Sequence, residues 1–144
     1  MAEKLELEVE KFLEIGVEYL KRTGVPSSSA FFINPKGKYV VDPFDFIDKP
    51  KSKKLLKKMA KKRKATMVIT ITSASICKLK NFQSGPPYFT KEVIFAYGET
   101  KTDSFGIAQE FEHNKNGQIV FGKRIFFPVG TGSMTGFLCR RSGN

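Results

Sequence analysis

A run of lysines between residues 49 and 64 is the part of the sequence best suited to bind a ligand. The stretch reads KPKSKKLLKKMAKKRK, holds ten of the 25 Lys and Arg residues, and contains no acidic residue. The formal net charge of the whole chain is +11, and this one stretch supplies nearly all of it. Clustered cations of this kind suit a polyanion, and the phosphates of nucleic acids are the most common example.

The spacing of apolar residues predicts that this run forms an amphipathic helix from Ser52 to Lys64. Ser52 is a good N-cap, and Pro50 just before it stops the preceding segment from running on. The apolar stripe that would pack on a sheet consists of Leu55, Leu56, Met59 and Ala60. The lysines spread around the opposite half of the helix. The predicted nucleic-acid-binding residues are Lys53, Lys54, Lys57, Lys58, Lys61, Lys62 and Lys64.

Two functions are compatible with such a helix. The first is binding of nucleic acid or another polyanion through phosphates, because the sequence has no RNP-type motif, zinc-finger spacing or leucine zipper for reading bases. The second is a protein-interaction or regulatory domain of unknown partner, in which the lysines only solvate the surface. A membrane-surface helix fits less well, since the apolar stripe is small and lacks aromatic residues. No membrane partner is therefore predicted.

Other residues with chemical potential do not form a recognisable binding site. Asp42, Asp45 and Asp48 lie next to the basic run, but their spacing does not match a calcium-binding loop. Neutralising the neighbouring lysines is the simpler role for them. The glycine-rich segment 130–136 lacks the spacing of a phosphate-binding loop, and too few residues follow it to form the helix such a loop needs. No metal and no cofactor is predicted.

The residues that could catalyse a reaction also lack a supporting motif. His113 is the only histidine, and on a strand Glu110 and Glu112 point away from it. Cys77 could act as a nucleophile with His113 as its base only if the fold brought them together. We predict no catalytic residue and a protein that is not an enzyme. Cys77 and Cys139 form no CxxC pair, and the acidic N-terminus is unlike a signal peptide, which predicts a cytoplasmic protein.

The remaining elements follow from hydrophobic periodicity and turn residues. Apolar residues recurring every three or four positions predict a first helix over 4–22. Asn116-Gly117 predicts a two-residue hairpin loop, which would pair Glu110 with Lys123. A four-residue loop would shift this pairing by two and leave the faces of the strands unchanged. The predicted strands cover 30–33, 38–41, 66–79, 91–97, 105–113 and 118–127, with a turn at 34–37.

This order of elements predicts the α+β class. We expect a single domain over 1–144, with an antiparallel sheet of about five strands and two helices packed on one face. The tail is expected to be loosely ordered from about residue 138, because it is glycine-rich and then basic. The predicted core residues are Phe12, Leu20, Leu55, Met59, Ile69, Phe95, Ile107 and Phe126.

The pattern resembles a class of small uncharacterised α+β proteins from bacterial and phage genomes. The matching features are the hairpin AFFINPKGKYVV, the helix at 52–64, and the strands ATMVITIT, KEVIFAYG and AQEFEHNKNGQIVFGKRIFF. The resemblance covers residues 5–127 at the level of pattern. It implies a fold, and it brings no functional residue with it.

Overall fold

The computed structural model describes residues 2–44, 49–78 and 89–131 of the 144-residue chain. Two helices and six strands lie within these ranges: α1 (Ala2–Thr23), β1 (Ser29–Asn34), β2 (Gly37–Val41), α2 (Lys49–Lys62), β3 (Met67–Lys78), β4 (Phe89–Glu99), β5 (Asp103–His113) and β6 (Ile119–Thr131). The strands form one antiparallel sheet in the order β2-β1-β3-β4-β5-β6. The predicted α+β class is confirmed, with six strands in place of about five. The predicted loose tail beyond residue 138 lies outside the described ranges.

The connection from β2 to β3 places α2 across the sheet. β2 and β3 flank β1 on either side and are both antiparallel to it, so the chain must pass over β1 between them. α2 makes this crossing and contacts β1. From β3 onward each strand pairs with the next one along the chain. The helix that carries the lysines is therefore held against the β1 end of the sheet.

α1 packs on one face of the sheet and buries the larger core. Its buried apolar residues recur every three or four positions, as one face of a helix does: Leu5, Val9, Phe12, Leu13, Val17 and Leu20. They pack against Phe31, Met67, Ile69, Ile71, Ile94, Ala96, Phe105, Ile107 and Phe111. The helix ends where the N–H of Gly24 donates to the carbonyl oxygen of Leu20 at 2.8 Å. The φ of +77° at Gly24 suits a residue without a Cβ.

α2 packs on the opposite face, so the prediction that both helices share one face is wrong. Phe32 and Val68 lie opposite each other in the β1–β3 ladder, and both are next in sequence to residues that face α1. Successive strand residues point to opposite faces, which puts this second cluster on the other side. It consists of Ala30, Phe32, Phe44, Leu56, Ala60, Ala65 and Val68. Apolar residues on both faces of β1 and β3 require a cover on each face.

The β5–β6 hairpin has a three-residue loop instead of the predicted two-residue loop. The N–H of Asn114 donates to the carbonyl oxygen of Gln118 at 2.9 Å, and the N–H of Gly117 donates to that of Asn114 at 2.9 Å. Gly117 has a φ of +78°, so the loop is a type I turn closed by a left-handed glycine. The extra loop residue shifts the strand register by one position next to the turn.

A β-bulge then shifts this register back. The irregularity lies between Gln109 and Phe111, and beyond it Ala108 pairs with Ile125, as the two-residue loop would have predicted. Glu110 falls within the bulge, so its predicted ladder partner Lys123 does not lie directly opposite it.

The predicted core is correct near the middle of the sheet and wrong at its margins. Four of the predicted residues are buried: Phe12, Leu20, Ile69 and Ile107. Met59 and Phe95 are half-buried. Phe126 is 55 % exposed because β6 is an edge strand that α1 barely contacts. Leu55 is 46 % exposed because the buried side of α2 is centred on Leu56 and Ala60.

Candidate polyanion-binding surface on helix α2

The start of α2 differs from the prediction. The helix begins at Lys49, three residues before Ser52, so Ser52 is not the N-cap. Pro50 falls in the first turn, where a missing N–H removes no helical hydrogen bond. Ser52 is 7 % exposed and lies four residues before Leu56, which puts it on the side of the helix that faces the sheet. The helix thus gains a turn that includes another exposed lysine, Lys51.

The C-terminal end of α2 is closed by a Schellman motif with a lysine at its left-handed position. The N–H of Ala65 donates to the carbonyl oxygen of Ala60 at 2.9 Å, and the N–H of Lys64 donates to that of Lys61 at 3.2 Å. Lys64 has a φ of +51° and is the only non-glycine residue with positive φ among those described. Ala60 and Ala65 both belong to the buried cluster under α2. This pair provides the hydrophobic contact that usually accompanies the motif.

Two side chains join this end of α2 to the β1–β2 hairpin. The side-chain amide of Asn34 donates to the carbonyl oxygen of Arg63 at 2.7 Å. The guanidinium carbon of Arg63 lies 3.6 Å from the ring centroid of Tyr39 on β2, a close cation–π contact. Arg63 is therefore occupied in packing, while its neighbours Lys62 and Lys64 are exposed. These two contacts hold the C-terminal end of α2, and with it the exposed lysines there, against the β1–β2 hairpin.

The structure brings all the predicted binding lysines together on the outer surface of α2 and its C-terminal cap. Each of the following is exposed: Lys53, Lys54, Lys57, Lys58, Lys61, Lys62 and Lys64. None of these seven forms an ion pair with a carboxylate in the described part of the chain. We refer to these seven side chains as the α2 lysine surface. Leu55 lies exposed beside it.

A second cationic group lies at the β1–β2 turn, and the sequence does not predict it. Lys11 on α1 and Lys36 and Lys38 on the hairpin line a surface cavity of about 310 Å³. Glu8 is the acidic residue in the same lining. These lysines are separated in sequence, so only the packing of α1 against the hairpin brings them together.

The other candidate residues do not converge on a site within the described ranges. His113 is exposed, and its ring centroid lies 6.3 Å from that of Phe111. Within residues 2–44, 49–78 and 89–131, no group of three His, Cys, Asp or Glu side chains could hold a metal ion. Asp45, Asp48, Cys139 and residues 132–136 lie outside those ranges, and the side chain of Cys77 is not described.

Sequence reasoning also missed two buried polar side chains on the sheet. Glu99 is fully buried and accepts a 2.8 Å hydrogen bond from the hydroxyl of Tyr97. Gln109 is 5 % exposed, donates to the carbonyl oxygen of Gly122 at 2.9 Å, and accepts from Nε of Arg124 at 2.7 Å. Both side chains are hydrogen-bonded within the sheet, so they serve the fold.

Neither described helix is long and apolar enough to cross a membrane. Comparison with protein-family models, with curated proteins and with solved structures gave no significant match. The resemblance to small α+β proteins of bacterial and phage genomes therefore stays a prediction, as does the cytoplasmic location.

Proposed function

We propose that the protein binds nucleic acid without sequence preference, through the α2 lysine surface. The observation that carries the proposal is the set of seven exposed lysines that have no carboxylate partner among the described residues. Like charges this close repel one another, so an anion that neutralises them stabilises the folded protein. A polyanion neutralises several of them at once and releases its own condensed counterions on binding.

The side chains on this surface favour contact with phosphates over contact with bases. The exposed positions of α2 from Lys51 to Lys62 are all lysine except Leu55, so the surface carries no Asn, Gln or Arg for bidentate contacts to base edges. Lysine contacts a phosphate as a point charge and reads no sequence. The 14 residues of α2 span about 21 Å, which corresponds to roughly six base pairs of duplex.

The test is a quadruple variant, Lys54→Gln, Lys57→Gln, Lys58→Gln and Lys61→Gln, titrated with labelled duplex and single strands by fluorescence anisotropy. The wild-type protein is expected to bind with a Kd of about 10⁻⁴ to 10⁻⁶ M near physiological salt. The variant should bind more weakly. Its slope of log K against log salt on duplex should be shallower by about three to four, since each lysine that neutralises a phosphate contributes about 0.9.

A matched control removes the same charge elsewhere. Lys4, Lys101, Lys115 and Lys123 are exposed and lie outside α2, so their conversion to Gln lowers the net charge by the same amount. This control variant should keep most of the affinity and most of the salt slope. Equal losses in the two variants would show that binding depends on net charge alone. Absence of salt-sensitive binding by the wild-type protein at low salt would refute the proposal.

The second candidate function is a protein-interaction or regulatory domain, and one observation on β6 favours it. Phe126 is 55 % exposed and Phe127 is 41 % exposed, so this edge strand presents aromatic side chains to both sides of the sheet. An interface built on them would be nearly indifferent to salt. The first partner to test is a second copy of the chain. Light scattering should then show self-association that Phe126→Ser with Phe127→Ser abolishes.

A further inference from the structure

We propose that the cavity at the β1–β2 turn is a binding site for a phosphate group, separate from the α2 lysine surface. The cavity is a shallow surface depression of about 310 Å³, largely open to solvent, between α1 and the hairpin, and it is lined by Lys11, Lys36 and Lys38 together with Glu8 and Phe12. The proposal does not depend on nucleic-acid binding by α2, because the two groups of lysines belong to different elements.

The charge around this cavity favours an anion. The residues that line it include three lysines, from α1 and the hairpin, and a single acidic residue, Glu8. A phosphate carries about two negative charges at pH 7 and offers several oxygens, so it can accept from more than one lysine at a time. A carboxylate ligand offers fewer acceptors and half the charge. The excess of two cations therefore matches phosphate best.

One of the three lysines is held above an aromatic ring. Nζ of Lys38 lies 5.1 Å from the ring centroid of Phe12, within the range of a cation–π contact. Phe12 is 2 % exposed, and its ring centroid lies 4.4 Å from that of Phe31 in the core beneath. The buried ring thus provides a support for the ammonium group of Lys38, and both residues line the cavity. The Lys38 side chain is thus partly ordered in the free protein, which lowers the conformational entropy that it loses when a ligand binds.

The backbone around the cavity is also held in place. Oδ1 of Asn34 accepts hydrogen bonds from the N–H groups of Lys36 and Gly37 at 2.8 and 3.0 Å. The amide of the same side chain donates to Arg63 beyond α2. These bonds constrain the turn that carries Lys36 and Lys38. Recognition would rest on the lysine side chains, because the turn amides are already bonded to Asn34.

The size of the cavity sets the class of ligand. A volume of about 310 Å³ is at the lower end of the range for small-molecule sites, which is about 300–1,000 Å³. A free phosphate, or a terminal phosphate such as that at the 5′ end of a nucleic acid strand, fits that volume and carries about two negative charges. The shared chemistry is the phosphate group, and the experiment below distinguishes the two sources.

The test is a ¹⁵N–¹H NMR titration of the whole protein with sodium phosphate, compared with sodium chloride at the same ionic strength. Phosphate-specific shifts are expected at the amides of Lys36, Gly37 and Lys38 and at the side-chain amide of Asn34. In the variant Lys11→Gln, Lys36→Gln and Lys38→Gln, the affinity for phosphate should fall about tenfold or more, because each lost ammonium removes a charge-assisted hydrogen bond. The matched control, Lys101→Gln, Lys115→Gln and Lys123→Gln, should bind phosphate as the wild type does.

Each outcome decides the proposal. Shifts that chloride reproduces, shifts confined to α2, or equal affinity in the hairpin variant would overturn it. Phosphate-specific shifts that the hairpin variant loses would support it. A single-stranded oligonucleotide with a 5′-phosphate then identifies the source, because a strand whose terminal phosphate occupies the cavity shifts the same amides and competes with phosphate. Hairpin amides that do not shift on adding the strand would assign the cavity to free phosphate, whether or not the strand shifts the amides of α2.

Discussion

The side-chain amide of Asn34 donates a 2.7 Å hydrogen bond to the carbonyl oxygen of Arg63, 29 residues further along the chain. Arg63 follows the last residue of α2, and its carbonyl has no acceptor role within the helix. The bond therefore joins the end of α2 to the first turn of the sheet. The same Asn34 side chain caps the β1–β2 turn through Oδ1. Asn34 thus links the turn that carries Lys36 and Lys38 to the end of the helix that carries the α2 lysine surface.

Replacing Asn34 should destabilise the protein more than replacing another turn asparagine. Asn34→Asp keeps the acceptor for the turn amides and loses the donor to Arg63, and Asn34→Ala loses both. We expect costs of about 1 and about 2 kcal/mol in the free energy of unfolding by urea. Asn114→Ala is the control, since Asn114 caps the β5–β6 loop through Oδ1, and its amide donates to the exposed side chain of Gln118 instead of to a carbonyl at the end of a helix. Equal costs for Asn34→Ala and Asn114→Ala would show that the bond to Arg63 contributes nothing.

Replacing Lys64 with glycine should stabilise the protein, although glycine inside a helix usually destabilises it. The φ of +51° at Lys64 is energetically unfavourable for any residue that has a Cβ, and glycine adopts it without this cost. Lys64→Gly should therefore raise the free energy of unfolding by about 0.5–1 kcal/mol. Lys61→Gly is the control inside the helix and should lower it by about 1 kcal/mol. A destabilised Lys64→Gly variant would show that the lysine side chain itself stabilises the cap.

The helix and strand positions could be predicted from the sequence because they depend on local patterns. The strong periodicity of α1 and the β-branched run of β3 each appear within one stretch of chain. The hairpin loop at Gly117 could not be resolved in the same way. An Asn-Gly pair fits either a two-residue loop or the last two residues of a three-residue loop, and the choice depends on a bulge seven residues away at Glu110. That bulge arises from the pairing of β5 with β6, so the residues of the turn alone do not reveal it.

It was harder to predict which helix covers which face of the sheet, for a related reason. Phe31 and Phe32 are adjacent apolar residues on β1, and which helix covers each one depends on how the chain crosses from β2 to β3. The same limit applies to the sites. The α2 lysines are contiguous in sequence and could be predicted. The cavity lysines Lys11, Lys36 and Lys38 meet only through tertiary packing.

Gly98 allows α1 to lie close against β4, so an added methyl group should be costly. A Cβ built on Gly98 would lie 2.6 Å from Cγ2 of Val9 and 3.1 Å from Cδ1 of Leu5, closer than carbon atoms pack. Gly98→Ala should lower the free energy of unfolding by about 1–3 kcal/mol. In the double variant Gly98→Ala with Val9→Ala the loss should be smaller than the sum of the single losses. Additive losses would place the strain elsewhere.

Core truncation should separate the centre of the sheet from its edge. Ile69 is fully buried under α1, whereas Phe126 is 55 % exposed on β6. We expect Ile69→Ala to cost about 2–5 kcal/mol in a chemical melt. Phe126→Ala should cost less than about 1 kcal/mol, although it removes more atoms, because most of those atoms already contact water. A large loss for Phe126→Ala would mean that β6 is covered in solution.

The adjacent leucines of α2 provide the sharpest test of how this helix presents its lysines. Leu56 is 1 % exposed against the sheet, whereas Leu55 is 46 % exposed beside the α2 lysine surface. Leu56→Ala should cost about 2–5 kcal/mol and loosen α2 from β1, while Leu55→Ala should cost less than about 1 kcal/mol in the same melt. If phosphates are the ligand, Leu55→Ala should also leave the affinity for nucleic acid and its salt slope unchanged, because leucine contributes no charge. A loss of nucleic-acid affinity in the fully folded Leu55→Ala variant, with the salt slope unaltered, would show that Leu55 makes an apolar contact with the nucleic acid and that phosphate contact alone does not account for binding.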